Sequence, residues 1–375
     1  MNARARHLYV HLPFCAHRCG YCDFVTIVGG DDGHNEYVDC VLRELDLRRG
    51  RLAEEVATVF VGGGTPTFTE PRALVRLLAG LPRAEEMTVE ANPETVTPAL
   101  AELLRTHGVN RVSLGAQSFR PHLLAVLERS AQPDTVRQAF SILRAAGFDN
   151  LSLDLIYGIP GQSPDDVEAD LDDAIALGPE HLSCYELEAK PGTRFTHAHG
   201  AELLRQADAM ESYFELVVRR LTGAGYRWYE TANFCRADGT ARRDLRALHN
   251  LAYWQGRDYL GVGIGAVSTL DGRRLRNTPR LALYTDALSR GELPPHEVEP
   301  LDQAVRRRER VMLGLRLDEP LPLAGLETSL DEDALDRLVG LGLVELRERP
   351  AGSQTLTLTH RGRFLGGGVT AELLA

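Results

Sequence analysis

Three cysteines, Cys15, Cys19 and Cys22, stand close together near the start of the chain in the spacing Cys-x3-Cys-x2-Cys. Closely spaced thiolates can converge on one metal centre, and iron–sulfur clusters are held in this way. Structural zinc sites prefer four ligands in two paired arms. The spacing therefore favours a [4Fe-4S] cluster with one iron left open. A zinc site completed by His11 or His17, or chance clustering, is the alternative.

Glycines and carboxylates follow other predicted strands. Residues 62–67 read Gly-Gly-Gly-Thr-Pro-Thr, where the lack of Cβ atoms lets backbone N–H groups approach a ligand, although a plain turn explains the glycines equally well. This segment lacks the Lys of a Walker phosphate loop. Glu90, in Val-Glu-Ala-Asn-Pro, is predicted to face the same end of the strands as the glycine-rich segment. The alternative is a solvated side chain before a turn. Asp154, within LSLDLIYGIP, should be half buried and needs a partner, with a structural salt bridge as the alternative.

The segment HNLAYW, residues 249–254, predicts a short aromatic helix. On a helix His249 lies four residues from Tyr253, and Asn250 four residues from Trp254, so the four side chains can share one face. Histidine is a common axial ligand of heme iron, and flat aromatic rings can stack on a porphyrin. This pattern fits a heme site, while ordinary core packing is the alternative.

The elements that position these residues alternate between short β-branched runs and helices, which predicts an α/β fold with parallel strands. The candidate strands are residues 7–12, 56–62, 87–91, 111–115, 151–156 and 181–187. Six βα units fit a doubly wound sheet or a partial barrel. Because Gly-rich or polar clusters follow every strand rather than one switch point, we favour a partial (β/α)6 TIM-like barrel.

The pattern changes after the barrel. We expect the barrel over residues 1–225 and an α+β extension packed beside it over 226–300, which carries HNLAYW and the Gly-rich GVGIGAVS. Two helices, a hairpin and a last helix over 301–375 are typical of a small winged-helix-like domain. The Pro-rich residues 293–300 are the best candidate for the linker before it.

Composition limits the functional classes. The chain has 375 residues with 42 Lys+Arg and 53 Asp+Glu, a net charge of −11, which argues against a nucleic-acid partner. No run of about 18 apolar residues and no signal-peptide core is present, so we expect a cytoplasmic protein. Six cysteines in a chain of this length are not a disulfide framework.

The cysteine spacing inside YVHLPFCAHRCGYCDF resembles the signature of the radical S-adenosylmethionine (SAM) superfamily. This resemblance implies a partial (β/α)6 barrel, a [4Fe-4S] cluster held by Cys15, Cys19 and Cys22, and SAM bound at the open iron. In that superfamily the glycine-rich loop holds the methionyl amino group. The positions that match SAM-binding residues are Tyr9, Tyr21, Phe24, Gly63, Gly64, Thr65, Glu90, Gln117, Ser118, Arg129 and Asp154.

More narrowly, HLPFC, GGGTPT, VEANPE, SLGAQSF, DLIYGIPGQ and HNLAYW together resemble the oxygen-independent coproporphyrinogen III oxidase group over essentially the whole chain. Its two branches are the oxidase, which decarboxylates propionates of coproporphyrinogen III, and heme chaperones. The oxidase carries a further cysteine where this chain has Phe24, and a long N-terminal arm where the cluster motif here begins at residue 15. The chaperones carry the His-Asn-x-x-Tyr-Trp heme motif. These features favour the chaperone branch, with the oxidase as the alternative.

The chaperone resemblance implies heme as cargo, held by His249, Asn250, Tyr253 and Trp254, and apo-hemoproteins as its acceptors. It assigns no catalytic residues. It leaves open whether the acceptors belong to the respiratory chain, whether a membrane protein is contacted transiently, and whether the chain forms a homodimer.

Overall fold

The computed structural model describes residues 4–29, 33–190, 194–237, 244–348 and 353–374. The strands in chain order are β1 (His7–Leu12), β2 (Phe14–Cys15), β3 (Ile27–Val28), β4 (Val56–Gly63), β5 (Ala84–Ala91), β6 (Arg111–Gln117), β7 (Leu151–Tyr157), β8 (His181–Glu186), β9 (Tyr226–Trp228), β10 (Asn233–Arg236), β11 (Tyr259–Val262), β12 (Val267–Leu270), β13 (Arg273–Asn277), β14 (His296–Pro300), β15 (Leu321–Pro322), β16 (Val344–Glu348) and β17 (Gln354–Leu358).

The helices in chain order are α1 (His34–Arg48), α2 (Pro71–Gly80), α3 (Pro98–Thr106), α4 (Pro121–Val126), α5 (Pro133–Ala145), α6 (Pro164–Leu177), α7 (Arg194–Gln206), α8 (Met210–Gly223), α9 (Leu248–Trp254), α10 (Leu281–Ser289), α11 (Gln303–Gly314), α12 (Glu332–Gly340), α13 (His360–Phe364) and α14 (Gly366–Leu373). Several begin at local signals that the sequence carries, such as the capping box of Ser163 and Asp166 at the start of α6. In the described part of the chain no helix has both the length and the apolar character that crossing a membrane requires.

The six predicted parallel strands are confirmed. They are β1, β4, β5, β6, β7 and β8, and they lie side by side in chain order with parallel pairing throughout. Their apolar side chains are almost all buried because helices cover one face and the strands' own inward side chains fill the other. Parallel pairing brings the carboxyl ends of all six strands to one end of the sheet.

We expected the extension to pack beside this sheet. Instead, its strands continue the sheet at both edges. β10 and β9 add antiparallel strands beyond β8. At the other edge β11 pairs parallel with β1, and β12, β13 and β14 follow antiparallel, which gives twelve strands in all. The GVGIGAVS segment is Gly-rich because these strands approach closely, since a Cβ on Gly261 would lie 2.2 Å from the carbonyl O of Val267.

The prediction of a linker over residues 293–300 was wrong in part. His296–Pro300 forms β14, the edge strand of the large sheet, paired with β13. Proline is compatible with this position because an edge strand needs no donor on its outer side.

The C-terminal elements have their own core. Buried residues of α11, α12, β15, β16, β17 and α14, centred on Val311, Leu338, Leu356 and Leu373, form a hydrophobic cluster separate from the main one. The predicted hairpin is present, since β16 pairs antiparallel with β17. The division into 1–225, 226–300 and 301–375 remains a prediction.

Candidate functional site

The three predicted cluster cysteines lie at the carboxyl ends of the parallel strands. Cys15 ends β2 and is buried, whereas Cys19 and Cys22 are partly exposed in the loop that follows. The N–H of Cys22 donates to the carbonyl O of Cys19 at 3.2 Å, so these two cysteines share one turn. Burial raises the pKa of Cys15 and of Cys22, and each is raised further by the neighbouring thiols. A cationic partner would favour the thiolate forms.

A chain of hydrogen bonds joins Cys15 to Cys19 through three side chains from different loops. Cys15 Sγ lies 3.6 Å from Thr65 Oγ1, and Asn92 Nδ2 donates to the same hydroxyl at 3.1 Å. Arg129 donates to Asn92 Oδ1 at 3.1 Å and, through its other terminal nitrogen, to Cys19 Sγ at 3.7 Å. Sequence reasoning identified Thr65 and Arg129 but missed Asn92, whose only signal was its place beside Glu90 after β5.

Arg129 supplies that cationic partner. A further hydrogen bond to the carbonyl O of Gly115, at 3.0 Å, fixes the guanidinium, while its buried Nε has no hydrogen-bond partner. A fixed guanidinium with a free N–H beside thiols fits an anionic thiolate-held cluster or a ligand carboxylate. Among the described residues no three His, Cys, Asp or Glu side chains are arranged to hold a metal ion, so the ligation by three cysteines is not itself observed.

Neither histidine proposed for a zinc site is free. His11 is buried, with Nε2 2.8 Å from the carbonyl O of Val25 and Nδ1 3.1 Å from Tyr9 Oη. His17 Nε2 lies 3.1 Å from the carbonyl O of Glu128 and 4.0 Å from Cys19 Sγ. The contacts of His11 disfavour a zinc site completed by that residue, whereas His17 lies beside the cysteines.

The glycine-rich loop differs from our expectation in which of its groups face a ligand. The N–H of Gly63 donates to Glu90 Oε2 at 3.0 Å, that of Gly64 to the carbonyl O of Leu12 at 2.7 Å, and that of Thr65 to the carbonyl O of Phe14 at 2.8 Å. These N–H groups are therefore used within the protein, which leaves carbonyl oxygens as acceptors for a ligand amino group.

The glycines are required by close packing. A Cβ on Gly63, whose φ is +118°, would lie 2.6 Å from the His11 ring, and one on Gly64 would lie 2.6 Å from the Pro13 carbonyl group. Packing within the protein therefore accounts for glycine at these two positions, and the carboxyl end of β4 sets where the loop lies.

Glu90 and Asp154 point into the same interior, each partly buried. Burial raises the pKa of Glu90 to about 7, with Asp154 as a further raising charge and the Gly63 N–H opposing it. Ser113 Oγ lies 3.1 Å from both carboxylate oxygens of Asp154, and burial also raises the pKa of this carboxyl group. Asp154 is thus half buried as predicted, and its hydrogen-bond partners are Ser113, Ser152 and Ser183 rather than a basic residue.

Gln117 occupies a strained position at the end of β6. Its φ of +65° is unusual for a residue with a side chain, and the pairing of β6 with β7 shifts register between Gly115 and Gln117. Such bulges commonly re-aim a side chain beside a functional site. Ser118 faces elsewhere: it is buried and donates to Asp170 of α6 at 2.6 Å.

The aromatic candidates have different surroundings. Tyr9 stacks on Phe60 with ring centroids 6.2 Å apart, inside the sheet. Tyr21 packs on a small apolar cluster near Leu123, close enough to Arg129 and the cysteines to interact with their charges. Phe24 is 66% exposed in the part of the chain that the structure describes.

The HNLAYW segment forms the body of α9, in which His249 contacts Tyr253 whereas Trp254 has other partners. His249 is buried, with Nδ1 2.7 Å from Thr58 Oγ1 and Nε2 2.9 Å from Tyr253 Oη. Burial lowers the pKa of His249 to about 3, so the ring is neutral near pH 7. Trp254 instead packs toward the C-terminal elements, where the Arg316 guanidinium lies 4.3 Å from its ring centroid. Asn250 is partly exposed.

The start of α9 is held by β5. Glu86 accepts hydrogen bonds from the N–H groups of Leu248 and His249, at 3.1 and 3.2 Å. An acidic side chain satisfies the free N–H groups of a helix start and interacts favourably with its dipole. Since Glu86 lies near the start of β5 and Glu90 near its end, α9 lies at the opposite end of the strands from the cysteine loop.

Known proteins resemble this chain over nearly its full length. The radical SAM superfamily model matches residues 9–174. The heme chaperone HemW of Mycobacterium tuberculosis (strain ATCC 25618 / H37Rv) is 36% identical over 98% of this chain and 94% of its own length. That of Bacillus subtilis (strain 168) is 30% identical over 98% of both chains. That of Escherichia coli (strain K12) is 39% identical over 72% of each.

Among solved structures, coproporphyrinogen III oxidase (HemN) from Escherichia coli, a radical SAM enzyme, has the same fold. Its TM-score is 0.81 at 23% sequence identity, covering 99% of this chain and 90% of that one. This likeness confirms the radical SAM fold predicted above. With the HemW relatives it shows that the chain belongs to the HemW family of heme chaperones, within the radical SAM superfamily.

Proposed function

We propose that this chain binds heme and transfers it to apo-hemoproteins, and that it carries a [4Fe-4S] cluster and SAM at the opposite end of its strands. The observation that carries the proposal is the docking of α9 by Glu86, away from the cysteine loop. Membership of the HemW family supports the heme cargo. Respiratory-chain acceptors, transient contact with a membrane protein and a homodimer belong to the same proposal, as does the absence of a nucleic-acid partner.

In this proposal Cys15, Cys19 and Cys22 hold three irons of the cluster and leave the fourth to SAM. Arg129 orients Cys19 and offers its free Nε–H to an anionic group. The bound cluster and SAM supply one-electron chemistry. The side chains and loop that we propose to surround SAM are Tyr9, Tyr21, Phe24, Gly63, Gly64, Thr65, Glu90, Gln117, Arg129 and Asp154.

For heme, the hydrogen bonds of His249 define what iron binding requires. Both ring nitrogens are engaged, so Nε2 can reach iron only after the Tyr253 hydroxyl has moved away. Thr58 can keep its contact with Nδ1, which is how metal-bound histidines are usually oriented. We propose that the Tyr253 hydroxyl occupies Nε2 of His249 until heme binds. Asn250 and Trp254 would then contact the heme from the same helix.

A heme titration tests this role. Anaerobically reconstituted wild-type protein should give a saturable Soret band, and His249→Ala should weaken heme binding at least about tenfold, the loss expected for an iron ligand. Tyr253→Phe should bind heme as well as the wild type or better, because it removes the hydroxyl that occupies Nε2.

His34→Ala is the matched control. His34 is equally buried and its Nδ1 accepts a hydrogen bond of 2.9 Å from the N–H of Glu70, but it lies at the start of α1, away from α9. Equal heme affinity of the His249→Ala and His34→Ala variants would contradict the assignment of His249.

The oxidase is the second candidate, favoured by the HemN-like fold. It requires formation of protoporphyrinogen from coproporphyrinogen in the presence of SAM and a reductant. The exposed Phe24, in place of a further cysteine, argues against it.

A further inference from the structure

A cavity of about 760 Å³ lies between the end of α9, strands β11 to β13 and helix α11. Its walls include Tyr253 and Trp254 of the heme motif, together with Tyr259 and Leu313. Ligand sites of this size usually combine apolar walls with a few fixed polar groups. The cavity therefore has room for a flat aromatic molecule next to the helix that carries His249.

The described residues that line the cavity include five arginines against two carboxylates, Asp258 and Glu309. Arg274 is neutralised, since it pairs with Glu299 at 3.0 Å and Glu309 at 2.7 Å. Within the described residues no carboxylate forms an ion pair with the other four lining arginines, which are Arg257, Arg306, Arg307 and Arg310. In a chain of net charge −11, this is a local excess of positive charge.

Two of these arginines, Arg257 and Arg310, line the same cavity and are close enough for their charges to interact. Burial lowers the pKa of Arg310, and the like charge of Arg257 lowers it further. Arg310 Nη1 lies 3.5 Å from the carbonyl O of Trp254. The same nitrogen packs against Gly314 so closely that a Cβ on this glycine would lie 2.4 Å from it. These contacts hold the Arg310 side chain in place. Holding two like charges together costs free energy, and a bound anion between them would remove that cost.

We propose that this cavity binds the carboxylate edge of a tetrapyrrole, with Arg257 and Arg310 pairing its two propionates and Tyr253 and Trp254 contacting its ring. This inference rests on the heme binding proposed above, and it assigns the groups that recognise the propionates of the heme. Bidentate guanidinium–carboxylate pairs give geometric specificity as well as affinity. No His, Cys or Met is among the described residues that line the cavity, so the iron contact remains the one proposed for His249, which lies behind Tyr253.

The test compares iron protoporphyrin IX with its dimethyl ester, which has the same ring and iron but no carboxylate charges. Wild-type protein should bind the diacid at least about tenfold more tightly than the diester. The double variant Arg257→Gln/Arg310→Gln should lose about that factor for the diacid only, so that the two ligands bind alike. Higher ionic strength should weaken binding of the diacid more than that of the diester.

Arg308→Gln is the control, since Arg308 is an exposed residue of α11 that does not line the cavity. Arg257→Gln alone provides a second variant that should fold, because Arg257 is exposed, and it should show part of the same loss. Retained preference for the diacid in the double variant, or equal losses for both ligands, would overturn the inference while leaving heme binding intact. Failure of wild-type protein to bind either ligand would instead refute the proposed function, and the inference with it.

Discussion

Glu86 and Glu90 lie four residues apart on the same face of β5 but hold different parts of the molecule. Glu86 accepts the first N–H groups of the α9 helix, and Glu90 accepts the Gly63 N–H of the glycine-rich loop. Four residues of strand span about 13 Å. If heme binds beside α9 as proposed, the length of a strand would separate it from the cysteine loop.

Glu86→Ala should destabilise the fold and loosen α9. Two buried N–H groups would lose their acceptor, and loss of such a helix cap costs about 1–2 kcal/mol. Chemical unfolding should show this loss, and heme affinity should fall with it. Glu85→Ala, at the exposed neighbouring position, is the control. An unchanged free energy of unfolding for Glu86→Ala would contradict the capping role.

Glu90→Gln should change how stability depends on pH. The pKa of Glu90 is raised from 4.5 to about 7 in the folded chain, so between these values the folded state binds more protons than the unfolded state. The free energy of unfolding therefore falls as pH rises through this window. Gln keeps an acceptor for Gly63 and removes the titration, so the variant should gain stability relative to the wild type at about pH 8. Unfolding curves from about pH 4.5 to 8 measure this, and parallel profiles for the two proteins would refute it.

Arg129→Gln should weaken the cofactor site. It removes the hydrogen bond to Cys19 and the free N–H that we assign to an anionic group. Hydrogen bonds to charged groups contribute about 1.5–3 kcal/mol, so SAM affinity should fall at least about tenfold. Iron and sulfide per chain after anaerobic reconstitution should fall as well. Arg18→Gln, which removes an exposed contact with the Cys22 carbonyl O, is the comparison and should retain both. Full cluster content and SAM affinity in Arg129→Gln would contradict the assignment.

Gly63→Ala should destabilise the chain more than Gly108→Ala. Both glycines have positive φ, +118° and +86°, but a Cβ on Gly108 meets nothing within 4 Å, whereas one on Gly63 would lie 2.6 Å from the His11 ring. We expect a cost of about 1 kcal/mol for Gly108→Ala and about 2–4 kcal/mol for Gly63→Ala. Denaturant unfolding of the two variants measures the difference, and equal costs would show that packing against His11 is unimportant.

The sequence predicted the features that depend on local pattern. β-branched runs marked all six parallel strands, and the apolar surroundings of Asp154 correctly indicated its partial burial. The i, i+4 pairing of His249 and Tyr253 also follows from helix geometry and is confirmed by their hydrogen bond.

Features made by distant segments could not be predicted in the same way. The bonds that join Thr65, Asn92 and Arg129 come from loops after three different strands. The prolines near residues 293–300 indicated a linker, but His296–Pro300 forms a strand because it pairs with β13 at the edge of the sheet. Helical spacing also could not show that Trp254 packs away from His249, because the C-terminal elements on which it packs lie more than fifty residues further along the chain.

The most direct test of the central claim measures heme binding and coproporphyrinogen turnover on one anaerobically reconstituted preparation supplied with SAM and a reductant. Heme is titrated by its Soret absorption, and protoporphyrinogen is assayed as the product. We predict saturable heme binding without protoporphyrinogen. Turnover of coproporphyrinogen without saturable heme binding would contradict the account and identify the chain as an oxidase.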